Sequence, residues 1–115
     1  MSAAEHSGLA HWRNQRLSSL LLVPLTLWLL WAGVALTGAN YSEAVAFFRQ
    51  PFHSGMALLT AGIMAYHAQS GIAVVCEDYI SPRGLQSALI WLTRLGCLVG
   101  LLATAYTIYA IWQGN

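Results

Sequence analysis

The sequence predicts an all-α membrane protein of three spanning helices. Of its 115 residues, 57% are hydrophobic and only 8% are charged, whereas an ordinary soluble domain carries about 25% charged residues. Three stretches are also long enough to cross a bilayer, which takes about 20 apolar residues. They run roughly over residues 17–39, 51–77 and 86–112 and cover most of the chain, which reads as one membrane-anchor domain over 1–115.

Residues 1–16 are polar and read as an aqueous lead-in, with His11-Trp12-Arg13 at the boundary. Trp12 suits the interfacial belt, and Arg16 can snorkel from the first turn. The first stretch, Leu17 to Ala39, holds no charge. Arg13 and Arg16 ahead of it resemble the start of a secretory signal. The apolar run is longer than the ~7–15 residues of a signal core, however, and no clear A-x-A cleavage site follows, so an uncleaved helix is expected. Pro24 predicts a mild kink, and Thr37-Gly38-Ala39-Asn40 reads as the helix end, because Gly and Asn suit a left-handed cap. Tyr41 to Gln50 is a short amphipathic link. Pro51 is suited to the first position of the second helix, where its missing N–H costs nothing. Ser81-Pro82-Arg83-Gly84 is a turn. The third helix is interrupted only by Arg94 and ends in an aromatic belt of Tyr106, Tyr109 and Trp112.

The five cations are all arginines, the acids are Glu5, Glu43, Glu77 and Asp78, and the net charge is +1. There is no basic field for nucleic acid. Cys76 and Cys97 are isolated, without C-x-x-C or metal spacing, so no disulfide framework is expected. Arg13, Arg16 and Arg83 flank one side of the membrane and Arg49 the other. The positive-inside rule then puts the N-terminus and the 77–85 loop in the cytoplasm.

Against this background His67 stands out, near the middle of an uncharged run. Ten residues at ~1.5 Å each put it ~15 Å from the end of the helix, near the bilayer midplane. An ionisable group at that depth is a functional-site candidate. One reading is a neutral histidine hydrogen-bonded to another helix. The other is an axial haem ligand, with Gly71 one turn on giving a flat macrocycle room. In the second reading the other axial ligand cannot be His53, which sits on the same helix about 21 Å away. His6 and His11 precede the first span. The iron is then five-coordinate, or a partner subunit completes it. His53 itself reads as an interfacial histidine near the outer surface, with a second stacked haem as the rival.

Eleven residues beyond His67, close to three turns, Asp78 shares its helix face at the water boundary, with Tyr79 next in sequence. They read either as a solvated carboxylate with a belt tyrosine or as a quinone pocket. A phenol supplies the donor that a quinone carbonyl needs, and a carboxylate can relay protons. Arg16 is either a snorkelling charge or a bidentate partner for a haem propionate. Arg94 implies that the third helix begins near it or that its side chain meets a buried anion.

His67-Ala68-x-x-Gly71 followed by Asp78-Tyr79, together with His11-Trp12-Arg13-Asn14-Gln15-Arg16-Leu17-Ser18-Ser19 before the first span, resembles the small hydrophobic membrane-anchor (cytochrome b small) subunit family of succinate dehydrogenase, respiratory complex II. The resemblance covers nearly the whole chain. It implies that His67 is one axial ligand to the iron of a haem b, the other coming from the larger cytochrome b anchor subunit. It implies that Tyr79 hydrogen-bonds ubiquinone beside the iron–sulfur subunit, that Asp78 lies next to that site, and that Arg16 lies near the haem propionates and quinone. It assigns no role to His53 or Arg94, and Glu77 is a departure from its pattern.

The resulting expectation is one chain of a heteromeric helix bundle in a bacterial inner membrane. It holds the flavoprotein and iron–sulfur subunits to lipid, shares a haem b and contributes to the ubiquinone site, within the respiratory chain and the citric acid cycle. Nothing in the sequence resembles a flavin-binding G-x-G-x-x-G, so the chain is not a catalyst alone. The alternatives are the anchor of a quinol:fumarate reductase or another quinone-linked haem b complex, and a cofactor-free structural anchor.

Overall fold

The computed structural model describes residues 3–114, with side chains from Gly8 onward, and the described residues are helical apart from short connections. Four helices follow in order: α1 (Ala3–Ala35), α2 (Tyr41–Phe48), α3 (Pro51–Tyr79) and α4 (Arg83–Trp112). Three of them, over Gly8–Ala35, Pro51–Tyr79 and Arg83–Trp112, are long and apolar enough to cross a membrane. The chain is a multi-pass helical membrane protein.

The helix ends differ from the sequence reading where local polar chemistry intervenes. The polar lead-in is not a separate segment, because α1 is continuous from Ala3. Its 33 residues make a rod of about 50 Å, which accounts for the 52 Å long dimension of the molecule. Pro24 lies within it without ending it. At the other end α1 stops at Ala35 rather than Ala39, and Gly38 takes the left-handed position with φ 77°. Asn40 is not part of that cap. It opens α2 instead, its side chain accepting from the Glu43 N–H at 2.8 Å while its amide donates to the Glu43 carboxylate at 3.2 Å. This reciprocal pairing turns the expected link into a helix. Pro51 is the first residue of α3, as its sequence context predicts. Arg83 and Gly84, read as turn residues, open α4, which leaves Ile80–Pro82 as the connection.

α3 is the central element. It packs against α1 on one side and α4 on the other, α1 and α4 make no helix–helix contact among the described residues, and α2 touches α3 and α4. The buried residues are small or polar: Ser18, Ala32, Ser54, Thr60, Ser70, Ala73 and Cys76 are nearly covered, along with Leu25, Trp28 and His53. Large apolar side chains such as Leu20, Leu27, Leu30, Trp91 and Leu102 face outward. Lipid tails are as apolar as leucine, so helices in a bilayer associate through close approach and hydrogen bonds, not through hydrophobic expulsion. Ser18, Leu25 and Ala32 recur every seven residues along α1. His53, Thr60 and His67 recur every seven along α3.

At the end of the bundle formed by α2, aromatic rings close around His53. Its ring stacks on Phe47 at 3.9 Å between centroids and on Trp31 at 5.5 Å, and Phe52 meets it edge-on. The Trp28 indole N–H donates to His53 Nδ1 at 3.2 Å. Nearby, Ser54 donates to the Phe48 carbonyl and accepts from the Trp112 indole at 2.8 Å. Arg49 Nε donates to the Ile111 carbonyl at 3.0 Å, capping the last turn of α4 with a cation. All four helices meet in this region.

Trp28→Phe, which keeps a ring but leaves His53 Nδ1 without its donor, is expected to cost about 1–3 kcal/mol. Trp28→Ala also empties the space of the ring and is expected to cost about 3–5 kcal/mol. Denaturation of the purified assembly in detergent micelles measures both, and the order should be wild type, Phe, Ala.

Candidate functional site

Half-buried on the α1 side of α3, His67 is tied to α1 by one hydrogen bond, from its Nδ1 to Ser18 Oγ at 3.0 Å. Ser18 is only 4% exposed. Its hydroxyl donates to the Gln15 carbonyl three residues back at 2.9 Å, so the contact is set within α1 before α3 is considered. Gln15 also lies beside Gly71. A Cβ on Gly71 would stand 3.4 Å from the Gln15 side-chain nitrogen. Within this chain the Gln15 amide therefore borders Gly71 at van der Waals distance. The other end of that amide, Gln15 Oε1, is buried and has no hydrogen-bond partner among the described residues.

Asp78 and Tyr79 lie at the last turn of α3, both exposed, with Tyr79 82% accessible. Their turn is pinned from α4. The Gln86 side-chain amide donates to the carbonyls of Cys76 and Ile80, both at 3.2 Å, and lies 3.4 Å from that of Glu77. A helix C-terminus leaves carbonyls without intrahelical partners; Gln86 reaches that of Ile80 and adds a second bond to that of Cys76, which also accepts from the Ile80 N–H. Twelve residues separate Tyr79 from His67, about 18 Å along the helix, so the two are separate stations on one element.

Arg16 is two residues from Ser18, about 200° around α1, so it points away from α3. Its guanidinium is exposed and lies 5.5 Å from the centroid of the Trp12 ring. Within this chain Arg16 joins neither His67 nor Tyr79. Arg94 likewise does not mark a helix start, since α4 begins eleven residues earlier. It is exposed, stacks over Trp91 at 5.1 Å and shares a polar groove with His11, Gln69 and Glu77. His53 is not an open interfacial group but 8% exposed. Its Nδ1 accepts from Trp28 and its ring packs in the aromatic cluster. The two cysteines are free thiols, Cys76 buried and Cys97 half-buried. Among the described residues no three His, Cys, Asp or Glu side chains gather as a metal cluster.

The sequence reading missed Ser18, Gln15, Gln86 and Arg49. A signal existed for Ser18, which lies on the seven-residue row of Leu25 and Ala32 and so had to face α3. Gln86 and Arg49 gave none, because reaching a neighbouring helix end depends on how the helices pair.

The fold and the site define a class: a three-span membrane subunit whose central helix carries one anchored imidazole in its middle and an exposed acid–phenol pair at its end. The family of succinate dehydrogenase/fumarate reductase transmembrane subunits matches residues 2–109, and the chain belongs to it. It is 32% identical over 113 residues to the succinate dehydrogenase hydrophobic membrane anchor subunit of Rickettsia felis, covering 96% of this chain and 91% of that one. The subunit of the same description from Rickettsia conorii is 32% identical over 111 residues, covering 94% and 86%. The succinate dehydrogenase membrane anchor subunit of Reclinomonas americana is 29% identical over 92 residues, covering 77% of each.

Replacing Gln86 with alanine frees the carbonyls at the end of α3 and should raise amide hydrogen exchange through residues 77–82 of the assembled protein, with a local cost of about 1 kcal/mol. Exchange around His53 should be unaffected.

Proposed function

We propose that this chain is the small membrane-anchor subunit of a succinate:ubiquinone oxidoreductase in a bacterial inner membrane, its N-terminus cytoplasmic. In this reading it joins a larger cytochrome b anchor subunit, an iron–sulfur subunit and a flavoprotein subunit. The observation that carries the reading is the anchored imidazole. Among the described residues His67 is held through Nδ1 alone, so Nε2 is the nitrogen open to a ligand.

The residues fit a haem b. A ring half-covered by its own chain and fixed by a neighbouring helix is suited to axial ligation. The unpartnered Gln15 Oε1 beside it marks a polar position that a partner would complete. His67 would be one axial ligand, and the partner anchor subunit would supply the other. Arg16, turned outward from α3, would meet a propionate carboxylate across the subunit boundary. When bound, the haem supplies reversible one-electron storage.

Tyr79 would donate its phenol hydrogen to a ubiquinone carbonyl oxygen. Its exposure in the isolated chain supports a site completed by another subunit. Asp78, adjacent and at the water boundary, would pass protons inward as the quinone is reduced. Gln86 holds both residues in place through the backbone.

His67→Ala in the whole complex should abolish or displace the b-type band in reduced-minus-oxidised spectra, and an identical band would assign the haem to other subunits. Tyr79→Phe removes one hydrogen bond of about 1–3 kcal/mol, about a 5- to 150-fold loss of kcat/KM for quinone, with the haem band intact. Wild-type quinone kinetics would remove Tyr79 from the site.

A further inference from the structure

We propose that Ser18 sets the proton on His67, holding the ring as the Nδ1–H tautomer so that Nε2 is the nitrogen offered to iron. The inference rests on His67 being a haem ligand. A serine hydroxyl has one hydrogen and two lone pairs. That hydrogen is directed to the Gln15 carbonyl at 2.9 Å, the back-bond that serine makes inside helices. His67 Nδ1 is 3.0 Å from the same oxygen and faces a lone pair, so Nδ1 carries the hydrogen. Burial of Ser18 to 4% exposure keeps bulk water from rewriting the arrangement. A neutral imidazole has a single N–H, which leaves Nε2 as a bare lone pair, the form that a metal requires.

His53 provides an internal contrast on the same helix. An indole N–H is a donor only, so its contact at 3.2 Å makes His53 Nδ1 an acceptor and puts the proton on Nε2. Two histidines two heptads apart are thus held in opposite tautomers by residues of α1. The one facing serine presents a ligand nitrogen, and the one facing tryptophan presents a donor.

The chain from imidazole N–H to hydroxyl to carbonyl also polarises the ring and makes Nε2 a stronger base. A more basic axial nitrogen favours ferric over ferrous iron. Ser18 is therefore a positioning residue that lowers the reduction potential of the haem without touching it.

The whole complex should be purified as wild type, Ser18→Ala, the isosteric pair Ser18→Thr and Ser18→Val, and His67→Ala. The readouts are the reduced-minus-oxidised spectrum and the haem midpoint potential by redox titration. Ser18→Ala and Ser18→Val should retain a b-type band with the midpoint shifted upward, and Ser18→Thr should restore the wild-type value. Should Ser18→Ala fail to assemble, the Thr–Val pair carries the comparison at constant shape. Equal midpoints for Thr and Val would overturn the role of Ser18 while leaving His67 as a ligand. An unaltered band in His67→Ala would instead overturn the ligand reading, and the tautomer proposal with it.

Discussion

The polar seam along α3 is the constraint on which the rest of the molecule depends. In a bilayer, moving a leucine from lipid to protein gains almost nothing, so three apolar helices have no reason to settle in one arrangement. Here the reasons are few and specific: the Ser18–His67 and Trp28–His53 hydrogen bonds between α1 and α3, and the Trp112–Ser54 and Gln86–backbone bonds between α4 and α3. The first two pair groups that would otherwise face hydrocarbon. Small residues at Gly71, Ala32 and Ala73 let the backbones come close enough for those bonds to form.

The same seam divides α3 into regions of different character. Near α2, His53 turns inward, its Nδ1 bonded to Trp28 and its ring packed among aromatic rings. Around His67 the closure is partial, with one ring nitrogen and one glutamine oxygen left over. At Tyr79 the side chains are open. Structural certainty thus falls from one end of the helix to the other as chemical opportunity rises. The groups left open are those that the proposed partners and cofactors would meet.

Most of the architecture was legible in the sequence because spanning a membrane imposes length and hydropathy, both of which are local. His67, Asp78 and Tyr79 could be singled out as candidates because ionisable and phenolic groups on an apolar helix have few reasons to be there. The misreadings share a cause. Asn40 could serve as the end of one helix or the start of the next, and only Glu43, three residues on, decides it. His53 is buried by rings from α1 and α2 that are distant in sequence. Such outcomes depend on the register between helices, which residue patterns within a single helix do not encode.

The back-bond from Ser18 to the Gln15 carbonyl also bears on how the chain is made. α1 leaves the ribosome long before α3, and for that interval Ser18 has no histidine to meet. A bare hydroxyl would be a liability in lipid, but one already bonded to its own helix enters the bilayer with its hydrogen satisfied. Only its acceptor face stays vacant, to be filled when His67 arrives some fifty residues later in synthesis. The same oxygen serves first as a passport for insertion and then as the latch that closes the hairpin of α1 on α3.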